Sequence, residues 1–161
     1  MSGEEVVPAK KKRKGTKDER LKRSQVLLDV TRRCASLANI QDVWKELVSM
    51  TSYELDCDRG TLFLNDNETN ELFSFVAQGN LTREIRILND SGIAGHVFQT
   101  GQAMLSDNPY EDPLFNREVD QRTGYTTRNI ACVPVRTMAG EKIGVMQTLN
   151  KRLGEVNDDD L

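Results

Sequence analysis

With 161 residues, 37% of them hydrophobic and 29% charged, the chain suits one soluble globular core and argues against two independent ones. No apolar run approaches the roughly twenty residues of a membrane span, and three widely spaced cysteines (Cys34, Cys57, Cys132) without a CxxC pair support neither a disulfide framework nor a zinc site. The formal net charge of −3 is uneven: residues 1–23 carry nine Lys or Arg against four Asp or Glu, and the remainder thirteen against twenty-one.

The basic start, residues 1–17 with the run Lys10-Lys11-Lys12-Arg13-Lys14, has too few apolar side chains to offset the entropy of ordering, so a disordered tail is expected. It lacks the apolar stretch of a secretory signal, and the unpaired thiols fit a reducing, cytoplasmic setting. A nuclear-localisation-like cluster and an electrostatic tether to nucleic acid or anionic lipid compete with a solvated leader; the leader is preferred, and no specific nucleic-acid partner is assigned. Residues 18–39 then repeat Leu27, Val30, Cys34 and Leu37 at helical spacing, with Leu28, Thr31 and Ala38 widening the stripe. Asn39 reads as an N-cap, with Asp42 in the first turn, for a second helix striped by Ile40, Val43, Trp44, Leu47, Val48, Thr51 and Leu55.

From Thr61 the period becomes two. Thr61–Leu64 and Leu72–Ala77, joined by the turn-rich Asn65–Asn70, predict a β-hairpin, and Glu84–Ile87 a third short strand. Asn89-Asp90-Ser91-Gly92 is helix-start chemistry for a short helix ending at Gly101, followed by a brief strand at Ala103–Leu105. A polar segment, Asn108–Arg128, leads to a closing hairpin of Asn129–Arg136 and Lys142–Asn150 around Ala139-Gly140. The layout is α+β: five or six mostly antiparallel strands with helices on at least one face. Asp158-Asp159-Asp160-Leu161 reads as the start of a further helix, as in a module whose natural chain continues.

Enzymatic machinery is hard to assemble from these residues. His96 is the single histidine and sits in an apolar helix beside no serine or cysteine elbow, so a structural or site-lining role is expected. There is no GxxxxGK[ST], and the glycines of Gly92-Ile93-Ala94-Gly95 are misplaced for a dinucleotide fingerprint. The acidic run at the end is expected to be solvated or helix-capping rather than a cation site. A nucleotide-sized anion is a better fit: the helix start at Gly92-Ile93-Ala94 offers free N–H groups and a positive dipole end. Asp120, Thr123 and Thr127, at offsets of three and four, would share one face of a helical turn and suit sugar hydroxyls and ring nitrogens. An ordinary capped surface helix explains that spacing equally well.

The succession Glu84-Ile85-Arg86-Ile87, Gly92-Ile93-Ala94-Gly95-His96-Val97, Thr100-Gly101, Asp112-Pro113-Leu114-Phe115-Asn116, Val119-Asp120, Thr123-Gly124-Tyr125, Thr127-Arg128-Asn129, Pro134-Val135, Gly144-Val145 and Asn150-Lys151 resembles the GAF domains of cyclic-nucleotide phosphodiesterases and cyanobacterial adenylyl cyclases. It covers roughly residues 24–161, and the Asp120/Thr123/Thr127 block is typical of the cyclic-nucleotide-binding subtype. The resemblance implies a GAF domain over residues 18–161, with 18–39 as linker and dimer helix, built as a six-stranded antiparallel sheet sandwiched by helices. It implies a cyclic nucleotide buried under a lid of short helices and loops, with Ile93, Ala94 and Asn116 by the phosphate and ribose. Asp120, Thr123 and Thr127 would line the lid, and Arg59 and Thr61 would reach the purine.

Gln147 stands where some relatives have Glu at a ribose contact, and Ala77 or Gln78 replaces the Asp that reads guanine in one cGMP-binding relative. Arg59-Gly60-Thr61 is closer to the cAMP-binding cyanobacterial type, so cAMP is favoured over cGMP as the ligand, with no other cofactor. Of the subtype's terminal signature, Asn150, Lys151 and Asp160 match, with Lys151 and Asp160 implied as a structural pair near the lid. Val156 and Leu161 stand where it has Phe and Glu. The expected function is a non-enzymatic regulatory domain, homodimeric through its N-terminal helices, that allosterically controls an attached phosphodiesterase or cyclase domain. A dimerisation or scaffold module with a vestigial pocket is the alternative, and a bilin, haem or redox sensor is disfavoured because no cysteine lies near His96.

Overall fold

In a computed structural model, which describes residues 16–35, 37, 39–79 and 84–157, the chain divides into two units, Met1–Ser36 and Leu37–Leu161. Within the first, α1 (Lys17–Ala35) opens with Arg20 N–H on Thr16 O at 3.0 Å, which makes Lys17 helical rather than part of a tail. The rest of the expected tail lies outside the described residues. Leu27 and Leu28 are 66% and 56% exposed, so the expected apolar stripe is not a buried one. The helix also ends at Ala35 rather than near Asn39, because Asn39 takes an extended conformation (φ −139°, ψ 156°) as the cap of the next helix.

In the second unit, α2 (Ile40–Glu54) starts as its sequence predicts: Asn39 Oδ1 accepts from Asp42 N–H at 2.9 Å, and Asn39 Nδ2 donates to Asp42 Oδ2 at 2.6 Å. Six strands follow: β1 (Cys57–Asp66), β2 (Glu71–Ala77), β3 (Arg86–Leu88), β4 (Met104–Ser106), β5 (Ile130–Arg136) and β6 (Lys142–Lys151). They form one antiparallel sheet in the order β3-β2-β1-β6-β5-β4. β1 begins four residues before its periodicity does, because Cys57, Arg59 and Gly60 pair with Lys151, Leu149 and Thr148 of β6. β3 is shifted from the expected 84–87: Ile85 takes its bonds irregularly, O accepting from Ser74 N–H and N–H donating to Ser74 Oγ, each at 2.9 Å.

Alternation along the strands creates two cores. On one face Phe63, Leu72, Ile130, Cys132 and Val145 pack under α3 (Gly92–Thr100), whose Ile93, Ala94, Val97 and Phe98 are buried. On the other, Leu62 and Val76 pack under Val48 of α2, flanked by Trp44, Phe75 and Met146. The sheet is thus sandwiched by helices. Between β4 and β5 lie a 3-10 turn (Pro109–Glu111) and α4 (Arg117–Thr123). No described helix is long and apolar enough to cross a membrane.

Burial also sets thiol reactivity. Cys132 is 0% and Cys57 5% exposed, and burial pushes the Cys132 thiol up to about 12, whereas Cys34 is only half-buried. Titration of the folded chain with a disulfide reagent at pH 8 is expected to find Cys34 reacting fast, with all three thiols reacting after denaturation. Fast reaction of three thiols without denaturant would mean that the sheet opens readily.

Candidate functional site

The start of α3 is built to approach something closely. Gly92 has a φ of +72°, which turns the chain sharply from the extended Ser91 into the helix. The Ser91 side chain makes no cap bond to the first-turn N–H groups. A Cβ at Gly92 would lie 3.4 Å from Cβ of Asn116, which places Asn116 against the helix start. Asn116 is itself the N-cap of α4, its Oδ1 accepting from Glu118 N–H at 3.0 Å.

Asp120 on α4 is 6% exposed and holds the segment beyond its own helix. Oδ1 accepts from Thr127 Oγ1 at 2.8 Å; Oδ2 accepts from Thr127 N–H at 2.7 Å and from Tyr110 Oη at 2.9 Å. Among the described residues no cation pairs with this carboxylate, which is held by these three charge-assisted bonds. The bond to Asp120, and then burial, push the Tyr110 hydroxyl above its usual range and keep it a donor at neutral pH.

Thr127 is therefore not on a helical face with Asp120 and Thr123, as the spacing suggested. α4 ends at Thr123, Gly124 caps it in the left-handed region at φ 67°, and the chain folds back so that Thr127 meets the carboxylate from outside the helix. Thr123 bonds to Val119 O of its own helix at 2.8 Å.

A cavity of about 70 Å³ lies between the sheet, the start of α3 and the segment 108–128. Phe63, Ile87, Ile130 and Leu149 line it on the sheet side, Phe115 and Val119 opposite, and Gly92, Ile93 and Ala94 at the helix start. Asn116, Asp120, Thr127 and Gln147 supply its polar side chains. Six of the expected ligand residues thus come together: Ile93, Ala94, Asn116, Asp120, Thr127 and Gln147.

Arg59, Thr61, Ala77, Gln78 and Thr123 do not line this cavity. Thr61 is buried between Ala77 on β2 and Gln147 on β6. Gln78 Oε1 accepts from Gly60 N–H at 2.7 Å, so its amide oxygen closes the end of the hairpin. The Arg59 guanidinium stacks on the ring of Tyr125, 3.9 Å from its centroid. His96 is exposed on α3, neither buried nor site-lining, because its neighbours Ala94, Val97 and Phe98 occupy the core-facing side. Lys151 Nζ donates to Glu155 O at 3.4 Å; its expected partner Asp160 lies outside the described residues. Val156, where a Phe was expected, is buried, and its N–H donates to Asp107 Oδ1 at 2.9 Å.

Two further residues build the site. Tyr110 is one, and a lone tyrosine beside a proline carries no signal of a carboxylate ten residues on. Asn150 is the other: it is 1% exposed, Oδ1 accepts from Arg128 N–H at 2.6 Å and Asn129 N–H at 3.4 Å, and Nδ2 donates to Thr126 O at 2.9 Å. The resemblance marks Asn150, but its loop-pinning role depends on β6 lying beside the segment.

Residues 39–161 match the sequence model of the GAF domain. The chain is 34% identical over 146 residues to a probable 3',5'-cyclic phosphodiesterase pde-5 of Caenorhabditis elegans, a match spanning 83% of this chain and 20% of that protein. It is 29% identical over 153 residues to the dual 3',5'-cyclic-AMP and -GMP phosphodiesterase 11 of Drosophila melanogaster, spanning 85% of this chain and 10% of that one. The chain thus spans a fifth or less of the length of these curated relatives. Its fold is similar to that of the GAF domain from a phosphoenolpyruvate-protein phosphotransferase (ptsP) of Coxiella burnetii, with a TM-score of 0.75 at 16% identity, covering 85% of this chain and 82% of that one.

Proposed function

Because this chain belongs to the GAF domain family, we propose that its cavity is a cyclic-nucleotide site whose occupancy regulates an attached signalling domain such as a phosphodiesterase. The observation that carries this reading is the convergence of Asp120, Thr127, Asn116 and Gln147 with the uncapped start of α3 on one cavity. The α3 N–H groups suit a cyclic phosphate, and the carboxylate and side-chain amides suit ribose hydroxyls and purine edges. cAMP is favoured over cGMP because the resemblance puts Ala77 or Gln78, neither a carboxylate, where a cGMP-binding relative reads guanine; the base of a bound nucleotide would then extend past the cavity, which neither residue lines. Lys151 and Asp160 remain the proposed pair beside the lid. α1, with Leu21, Leu27 and Leu28 exposed, is proposed as a homodimer seam, and the cytoplasm as the site of action.

A cavity of about 70 Å³ is well below the roughly 300 Å³ at which small-molecule pockets begin, so binding requires outward movement of the segment 108–128. Ligand and lid position are then linked, because the nucleotide binds the open-then-reclosed lid and not the collapsed one. The small cavity is also the observation that favours the second reading, a dimerisation module without nucleotide.

A thermal scan with each nucleotide separates the two. At a ligand concentration about 100-fold above Kd, stabilisation is about 2.7 kcal/mol, which for a domain of this size raises Tm by about 5–10 °C. A rise with cAMP larger than with cGMP is the expected result. No shift with either nucleotide, together with a ligand-independent dimer, would replace this reading by the scaffold one.

A further inference from the structure

We infer that Arg59 is a positioning residue for the lid, holding Tyr125 and with it the segment that carries Asp120 and Thr127, and is not a contact to a ligand's base. The inference rests on the nucleotide reading only for its effect on binding; the latch itself is a property of the fold.

Arg59 lies on β1 directly opposite Leu149, a residue that lines the cavity, so its side chain leaves the sheet on the cavity's face. There the guanidinium sits face-on over Tyr125 at 3.9 Å. Its other side is against Gly79, where a Cβ would fall 2.7 Å from Arg59 Cζ, and a φ of +108° further restricts that position to glycine. Among the described residues no carboxylate pairs with Arg59, while neighbouring Asp58 is engaged by Arg128 and Arg152. The cation's partner is the ring.

The ring in turn depends on the cation. The Tyr125 hydroxyl is buried without a hydrogen bond of good geometry, its polar neighbour being the Asn150 side chain, so the ring's tie to β1 is its contact with the guanidinium. Tyr125 N–H bonds to Asp120 O at 3.2 Å, and Thr127, two residues on, bonds to the Asp120 carboxylate. Arg59 thereby ties β1 and the end of β2 to the α4–β5 connection. Any outward movement of that connection that admits a nucleotide slides the ring off the guanidinium.

The test uses the whole chain in four single variants and the Arg59→Gln/Tyr125→Leu double variant. Arg59→Gln and Tyr125→Leu remove the stack; Arg59→Lys keeps a cation; Tyr125→Phe keeps the ring and deletes the hydroxyl. Amide exchange of residues 117–128 without ligand is the primary readout. Arg59→Gln and Tyr125→Leu are each expected to speed it roughly 5- to 30-fold, the range set by a partly desolvated cation–π contact. The double variant should be no faster than either single one, Tyr125→Phe should match the parent, and Arg59→Lys should fall between. The cAMP dissociation rate should rise by the same factors. Unchanged lid exchange in both disruptive variants, or fully additive effects, would overturn the latch; so would loss of cAMP binding in Arg59→Gln with lid exchange unchanged, which would make Arg59 a ligand contact. If the exchange pattern holds while the parent binds no cyclic nucleotide, the latch is supported and the nucleotide reading alone fails.

Discussion

Replacing Asp120 by alanine is expected to lower the stability of the domain by about 3 kcal/mol and to abolish the proposed nucleotide binding. The substitution strands Thr127 N–H, Thr127 Oγ1 and Tyr110 Oη, all of which donate to the carboxylate in a largely closed site. Hydrogen bonds to a charged group contribute about 1.5–3 kcal/mol each, and leaving a buried donor unpaired costs about 1–3 kcal/mol. Against this stands the relief of desolvating a carboxylate that has no cation among the described residues, which keeps the net loss below the sum. Asp120→Asn should lose about half as much, because an amide retains one acceptor oxygen but turns an N–H group toward at least one of the three donors. Urea unfolding reads both variants as a lower midpoint at constant slope. A loss under about 1 kcal/mol for Asp120→Ala would mean that water replaces the carboxylate, and the lid would then be held chiefly elsewhere.

The second large effect is expected at Asn150. Its side chain serves Arg128 N–H, Asn129 N–H and Thr126 O, and its backbone sits in the left-handed region at φ 57°. Alanine loses the bonds and is disfavoured in that conformation, for a combined cost of about 3 kcal/mol. Glycine loses the same bonds but adopts the conformation freely, so Asn150→Gly should be about 1 kcal/mol less damaging. Equal losses in chemical denaturation would show that the backbone conformation contributes nothing. Both variants should also speed amide exchange in residues 124–129, since that stretch has its backbone groups pinned by Asn150 and Asp120. Exchange confined to the rest of the sheet would count against the pinning role.

Asp120, Asn150 and the Arg59–Tyr125 stack act on one stretch of chain from three directions. Asp120 holds Thr127 from α4, Asn150 holds residues 126, 128 and 129 from β6, and Arg59 holds Tyr125 from β1. A ligand entering beside Asp120 and Gln147 has to disturb at least one of these contacts, which gives a regulatory domain a physical route from occupancy to backbone position.

What the sequence determined by itself is local. Asn39 with Asp42, the alternation of Leu62 to Leu64 and Leu72 to Val76, the Gly92 and Gly101 boundaries of α3, and the turn at Ala139-Gly140 each depend on groups a few residues apart, and the structure has them as read. Helical spacing picked out Asp120 and Thr127 and the resemblance added Asn150, in each case without their partners. Tertiary structure decided the rest, because the energies involved belong to pairs far apart in the chain. The first residues of β1 are strand only because β6 supplies their ladder. Thr127 left the helical face because a buried carboxylate gains more from its N–H and hydroxyl than another turn of α4 would return. Arg59 meets the Tyr125 ring, 66 positions away, because strand pairing and the α4–β5 connection bring the two together, which no local pattern encodes.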